Sequence, residues 1–191
     1  MHTFFRSIAQ PGRALRSGRR SRRFKSCYSD QNKKYNMTKI FISGGSGSGK
    51  STYAKKLSKQ LDIPYFDLDD IYWITYSNKR PKQERIKLLN QILQNNTDWI
   101  IDGVYFQDWI IPIIEQSDKI IIVNTPKYKR QYRIIKRFLS RIFFQKKKNE
   151  HQETVKTLFK LLLWSNNYEK KYLPELIKKI KQTNKTYTTI K

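Results

Sequence analysis

The run Lys39-Ile-Phe-Ile-Ser43, followed by Gly44-Gly45-Ser46-Gly47-Ser48-Gly49-Lys50-Ser51-Thr52, decides the fold. The second stretch satisfies G-x-x-x-x-G-K-[ST], and the apolar run before it reads as a strand. After it, Ala54, Leu57 and Leu61 fall on one helical face, with Lys55, Lys56, Ser58 and Lys59 mostly on the other. Strand, glycine loop and helix in that order make a phosphate cradle. Glycines at Gly44, Gly47 and Gly49 are expected to take positive φ and turn backbone N–H groups inward, so that several donors converge on one polyanion. Lys50 adds a mobile positive charge. Ser51 opens the helix, where its hydroxyl is placed to ligate Mg²⁺ while the helix N-terminus faces the phosphates.

At 191 residues the chain fits one α/β domain of ordinary size, with 155 residues from Met37 onward available for a core. Cys27 is the only cysteine, so no intramolecular disulfide can form, and His2 and His151 are too few and too separated for a zinc cluster. No apolar run reaches the length of about 18 residues that a membrane helix needs. A soluble, intracellular protein is expected, as a monomer or small homo-oligomer.

The formal charge of +25 has two sources. Residues 1–36 carry seven Arg and three Lys against Asp30 alone, and the remainder carries 24 Lys and six Arg against 14 acids, a surplus of 16. That surplus exceeds what one nucleotide requires and can attract nucleic acid non-specifically. The competing reading is a general Lys, Asn and Ile bias that leaves the lysines as a solvated surface.

Composition changes sharply at Met37, from arginine-rich without apolar periodicity to lysine- and isoleucine-rich. Residues 1–36 fit an organelle transit peptide by their Arg- and Ser-rich, acid-poor composition, or a basic arm for nucleic acid. The preferred reading is that they are no working part of the protein. They resemble peptides made when a transfer-RNA gene is translated, with Met37 the real start and a cytoplasmic location following.

From Met37 the pattern alternates strand and helix, which predicts a mainly parallel sheet flanked by helices. Strands are predicted at 39–43, 63–66, 99–102, 119–123 and 186–190. Helices are predicted at 50–61, 81–94, 108–116, 127–144 and 153–181, the last interrupted near Pro174. Gln145 to His151 is polar and aperiodic, and reads as a short lid between two helices.

Asp102 closes the apolar strand Trp99-Ile-Ile-Asp102, and ligands of parallel sheets gather beyond the carboxyl ends of strands, so this carboxylate is expected beside the Mg²⁺ held by Ser51. The alternative is a turn-capping aspartate before Gly103. Asp67, Asp69 and Asp70 follow the second strand. They can orient an acceptor hydroxyl, take up its proton or hold metal water, with Asp69 the favoured member, or one of them can cap a helix. Tyr72 and Trp73 are an aromatic floor for a planar acceptor or else core. Arg130, Arg133, Arg137 and Arg141 span about 80° of one helix, a stripe able to clamp triphosphate oxygens or simply a solvated face. Ile134, Ile135, Phe138, Leu139 and Ile142 form the apolar face beside it, and Lys146, Lys147 and Lys148 add charge from the loop.

The glycine loop, Asp67-Leu-Asp-Asp-Ile-Tyr-Trp73 and Trp99-Ile-Ile-Asp-Gly-Val-Tyr105 together resemble the FlaR-type proteins, small adenylate-kinase-like P-loop proteins labelled DNA topology modulation proteins. The likeness covers residues 39–181. In that family the second-strand element resembles H-L-D-x-x-x-W, matched here by Asp69 and Trp73. The third resembles I-D-G-N-Y, matched by Asp102, Gly103 and Tyr105. Asp67 stands where the family has histidine and Val104 where it has asparagine. Adenylate kinase is a looser relative, since the D-G-F-P-R at its third strand lacks a counterpart in Asp102-Gly-Val-Tyr-Phe106. Shikimate kinase shares a D-x-D after its second strand, like Asp67 and Asp69, but has glycines in place of Asp102. The resemblance implies an α/β nucleoside-monophosphate-kinase-like three-layer sandwich, with a parallel five-stranded sheet in the order 2-3-1-4-5.

Two functions are expected to compete. One is an ATP- and Mg²⁺-dependent phosphotransferase acting on the hydroxyl or phosphate of a small acceptor such as a nucleoside or nucleotide, with ATPase turnover also open. There Lys50 and the loop bind ATP, Ser51 and Asp102 hold Mg²⁺, Asp69 positions the acceptor, and Arg130, Arg133 and Arg137 balance charge. The other is a nucleic-acid-associated regulator that uses ATP as a switch. Against the second, the sequence has no helix-turn-helix pattern, zinc spacing or aromatic RNA-binding signature. A GTPase is disfavoured, because neither N-K-x-D nor D-x-x-G follows the loop.

Overall fold

The computed structural model describes residues 38–75, 78–144 and 155–191. The expectations for residues 1–36, for the lid at 145–151 with its lysines, and for the Arg141 side chain lie outside the described residues.

The described residues open with strand β1 (Lys39–Gly44), helix α1 (Lys50–Leu61) and strand β2 (Tyr65–Asp67), followed by the short helix α2 (Leu68–Tyr72). A small hairpin, β3 (Trp73–Thr75) and β4 (Asn78–Lys79), leads into α3 (Lys82–Asn95) and β5 (Trp99–Gly103). A 3₁₀ turn (Asp108–Ile110) then runs into α4 (Ile111–Gln116), β6 (Lys119–Val123) and α5 (Lys127–Phe144). The described chain closes with α6 (Val155–Asn167), a π-helical turn (Tyr168–Tyr172), α7 (Leu173–Gln182) and β7 (Thr188–Ile190). Five strands form one parallel sheet in the order β2-β5-β1-β6-β7, which is 2-3-1-4-5 when only its own strands are numbered.

Side chains that alternate along a strand divide the core between the two faces of the sheet. Phe41, Ile101, Ile120 and Ile122 face one way, against Leu68 and Ile71 of α2, Leu89 and Leu93 of α3, Ile113 and Ile114 of α4, and Leu176 and Ile180 of α7. Ile40, Ile42, Ile100, Ile121 and Val123 face the other way, against Ala54, Leu57 and Leu61 of α1. Register levels the functional edge. Asp102 lies opposite Ile42 on one side and Asp67 on the other, so the glycine loop and both carboxylates leave the sheet together.

The second sheet strand starts at Tyr65 rather than Ile63, because Ile63 still closes the end of α1 by donating its N–H to Ser58 O. The long C-terminal helix is interrupted near Pro174, as expected, by the π-helical turn that directly precedes α7. Helical backbone runs from the π turn straight into α7, so Pro174 withholds an N–H from the carbonyls of that turn, where a proline disturbs a helix. Neither α2 nor the β3–β4 hairpin carries enough residues to show a period in sequence. Leu68 anchors α2 by packing on Gly103. A β-carbon added there would lie 2.7 Å from Leu68 Cδ1 and 2.8 Å from its Cβ. Gly103→Ala should therefore destabilise the protein by about 1–3 kcal/mol through overpacking. A urea midpoint indistinguishable from wild type would show that α2 is free to slide.

Candidate functional site

Gly47 and Gly49 take φ of +78° and +93° in the loop after β1, the left-handed region in which side chains are strained. Gly44 does not share this conformation, contrary to expectation. It is needed for close approach, since a β-carbon there would lie 2.7 Å from Ser48 Oγ and 2.9 Å from Val123 O. The turn closes with Ser48 N–H donating to Gly45 O at 3.0 Å, and α1 begins with Tyr53 N–H donating to Gly49 O. Gly49 is the N-cap residue and brings no side chain to the helix N-terminus. Lys50 N–H makes a long bond to Ser48 Oγ at 3.4 Å, and the N–H groups that follow it in the first turn are left for an external acceptor, the usual state of an anion-binding helix end.

Asp102 is wholly buried at the end of β5. Ser51 Oγ donates to its Oδ2 at 2.7 Å, Lys50 Nζ stands 3.8 Å from the same oxygen, and Tyr65 Oη donates to Oδ1 at 2.6 Å. Because the Ser51 hydrogen is directed to Asp102, the lone pairs of Oγ remain for a cation. Hard oxygen donors beside a phosphate cradle suit Mg²⁺, which is commonly held by one or two protein oxygens with phosphate and water completing its shell. Among the described residues no group of three or more His, Cys, Asp or Glu is arranged to hold a metal unaided.

Asp67 caps α2, its Oδ1 accepting from Asp69 N–H at 2.9 Å. Burial raises its pKa from 3.8 to about 6, and the neighbouring Asp102 adds to the effect. Capping thus falls to Asp67 and leaves Asp69 exposed, with Oδ1 accepting from Tyr105 Oη at 2.7 Å. Burial and Asp69 push the Tyr105 phenol well above its ordinary range, as burial and Asp102 do for Tyr65, so both hydroxyls remain donors at neutral pH. Tyr65 carried no signal beyond its i, i+2 spacing to Asp67, which places both on one face of β2.

The arginine stripe divides. Arg130 is fully buried, donating from Nη1 to Thr125 O at 2.7 Å and to Glu169 Oε1 at 2.8 Å, and from Nη2 to Ser165 O at 2.9 Å. It stands behind the loop. A β-carbon on Gly47 would lie 2.6 Å from Arg130 O, and one on Gly45 would lie 3.0 Å from the Tyr168 ring. Burial pushes the Tyr168 phenol up to about 12. Arg133 is exposed and donates from Nη1 to Ser48 O at 2.9 Å and Gly47 O at 3.2 Å, while Arg137 is exposed and makes no ion pair among the described residues. The inward line of α5 is therefore Arg130, Ile134 and Phe138, whereas Ile135, Leu139 and Ile142 of the expected apolar face are exposed.

No family model matches the sequence, and no curated protein matches it. Among solved structures, a shikimate kinase from Acinetobacter baumannii in complex with shikimate is similar, with 16% identity, a TM-score of 0.50, and coverage of 82% of this chain and 85% of that one. Likeness at that identity establishes the fold, a P-loop kinase-like α/β sandwich.

Two measurements follow from this geometry. Arg130→Ala should cost about 2–4 kcal/mol in urea denaturation, because the buried carbonyls of Thr125 and Ser165 lose their donor. A loss below about 0.5 kcal/mol, the range of ordinary surface changes, would place Arg130 outside the structural framework. In metal-free buffer the folded protein holds the Asp67 proton up to about pH 6, while the unfolded chain releases it near 3.8. The Asp67 contribution to stability is then full below about pH 4 and declines as pH rises to about 6. The difference between wild type and Asp67→Asn should trace that fall, and a flat difference would contradict the raised value.

Proposed function

We propose that the chain is an ATP- and Mg²⁺-dependent phosphotransferase of the FlaR type, acting on a small hydroxyl-bearing acceptor such as a nucleoside or nucleotide. One observation carries the reading. The uncapped N-terminus of α1, Lys50, the Ser51–Asp102 pair and an exposed Asp69 steadied by Tyr105 all stand at one edge of the sheet. The P-loop kinase-like fold supports it.

Mg-ATP, when bound, supplies the phosphoryl group. Lys50 and the amides opening α1 hold the β- and γ-phosphates, and the loop residues Gly45, Ser46, Ser48 and Thr52 complete the cradle. Ser51 and Asp102 hold the metal. Asp69 receives the proton of the acceptor hydroxyl as that oxygen bonds to the γ-phosphorus and the bond to the ADP oxygen breaks. Arg133, seated on the loop carbonyls, and Arg137 one turn further add positive charge near the transferring group. Arg130 acts as a positioning residue that holds the first turn of α5 against Gly47.

A screen of nucleosides, nucleotides and hydroxy acids for ADP release identifies the acceptor. With it, Asp69→Asn should lower kcat by about 10²- to 10⁴-fold while Mg-ATP affinity stays unchanged. Lys50→Ala should abolish turnover with the fold intact, as should removal of Mg²⁺ with EDTA. Full activity in Lys50→Ala would refute the assignment.

A further inference from the structure

One face of α5 is apolar and open. Tyr128, Tyr132, Ile135, Leu139 and Ile142 are all exposed, and at 3.6 residues per turn they fall within about 80° of the helix circumference. The stripe is about 21 Å long at a rise of about 1.5 Å per residue. On α6, Val155, Phe159 and Leu163 repeat at i, i+4 and i+8 and are likewise exposed, Phe159 by 65%. Gln131 Nε2 joins the two helices by donating to Asn166 Oδ1 at 3.0 Å. Gln131 lies one turn before Ile135, and Asn166 lies on the line of Phe159 and just beyond Leu163, so both apolar rows border the seam that this bond crosses.

Charge around the stripe has a single sign. α5 holds seven Lys and Arg, α6 holds two, and neither helix contains Asp or Glu. Arg130 turns inward to Glu169, but Lys127, Lys129, Lys136, Lys156 and Lys160 are exposed. Lys129 and Lys136 stand beside the stripe, about 80–100° from its centre, and Lys129 Nζ lies 6.0 Å from the centroid of the Tyr128 ring. Helix stability does not account for this pattern, because Lys127 and Lys129 occupy the first turn of α5, where the helix dipole disfavours cations. An external anionic partner does.

Shape and charge together select that partner. Residues 145–154, which join the two helices in sequence, contain no apolar residue and so offer no apolar cover. A second copy seated on the same face would bring cation against cation. Duplex DNA would match the lysines but leave the aliphatic centre of the stripe without a partner. A bilayer with anionic headgroups meets both needs: acyl chains take Ile135, Leu139 and Phe159, headgroups take the lysines, and the tyrosines suit the boundary between them. We infer that the α5–α6 face is a peripheral docking surface for anionic lipid bilayers. The chain lies on the membrane rather than across it, and no described helix is long and apolar enough to cross one. Arg133, which reaches the loop carbonyls, projects about 140° around α5 from the stripe, so docking leaves the glycine loop uncovered.

Sedimentation of the full chain with phosphatidylcholine vesicles, prepared with and without phosphatidylserine, tests this at low and at physiological salt. Binding to the anionic vesicles should exceed binding to the neutral ones by at least about tenfold and should weaken as salt rises. Ile135→Ser with Leu139→Ser should lower it about tenfold or more, and Phe159→Ser about three- to tenfold, with the urea midpoint unchanged in each. Lys129→Gln with Lys136→Gln should lower it about 10- to 30-fold. The apolar substitutions separate this surface from residues 1–36, whose charge alone can hold an anionic vesicle, because such binding is indifferent to Ile135 and Leu139. Equal sedimentation of wild type and the Ile135→Ser, Leu139→Ser variant overturns the inference, as does failure of wild type to sediment with either vesicle. A dimer in analytical ultracentrifugation that dissociates in the same variant assigns the face to a second copy and overturns it. Duplex DNA that binds more tightly than the vesicles, and loses affinity in that variant, overturns it as well.

Discussion

Burial of Asp102 governs the functional edge of the molecule. A carboxylate taken fully out of water is costly unless it is paired and hydrogen-bonded, and the partners here come from two other elements. Ser51 and Lys50 reach it from the start of α1, and Tyr65 reaches it from β2. The end of β5 is thereby tied to the helix that follows the glycine loop and to the neighbouring strand. Asp67, across the ladder, sits beside a charge already in place, and burial with that neighbour keeps its proton to about pH 6. The edge concentrates negative charge where the proposed cation belongs. Arrival of a divalent ion relieves the repulsion, so the same geometry that is tolerated without metal favours its binding.

The donor half of this arrangement was legible in sequence because local chemistry dictates it. Only glycine is at ease at the φ of positions 47 and 49, and the α1 boundaries follow from the loop before the helix and the end of its apolar face. The strands that read as continuous apolar runs, Trp99–Gly103 and Lys119–Val123, were equally plain, since a parallel sheet covered on both faces buries successive residues, here all but Lys119. The order of the sheet strands came through the family resemblance.

Arg130 shows where such reading fails. A helical wheel groups Arg130, Arg133 and Arg137 on one arc and leaves that arc to triphosphate oxygens or to solvent. What turns Arg130 inward is Ser165 and Glu169, 35 and 39 residues later, arriving on α6 and the π-helical turn. No periodicity within α5 encodes a partner on another helix. The exposure of Ile135, Leu139 and Ile142 follows from the same rotation, since burying the Arg130–Ile134–Phe138 line leaves the adjoining apolar positions outward. The break before α7, by contrast, was legible. Pro174 withholds an N–H from the turn before it, and that turn is the π-helical one whose Tyr168 and Glu169 meet Arg130.

The two halves of the site differ in what builds them, and this explains why the donor is easier to infer than the acceptor. The proposed phosphate grip is largely backbone, namely glycine turns and helix amides with one ammonium group, and any chain that keeps the turn keeps the grip. The proposed acceptor side draws on side chains from α2 and the segment after β5, short or irregular elements between β2 and α4. Such elements can change without disturbing the sheet order. Fold likeness at 16% identity is therefore compatible with a conserved donor geometry and silent about the acceptor. In this chain the proposed acceptor side holds Asp69, an exposed carboxylate steadied by Tyr105, whose ring stacks on Tyr72.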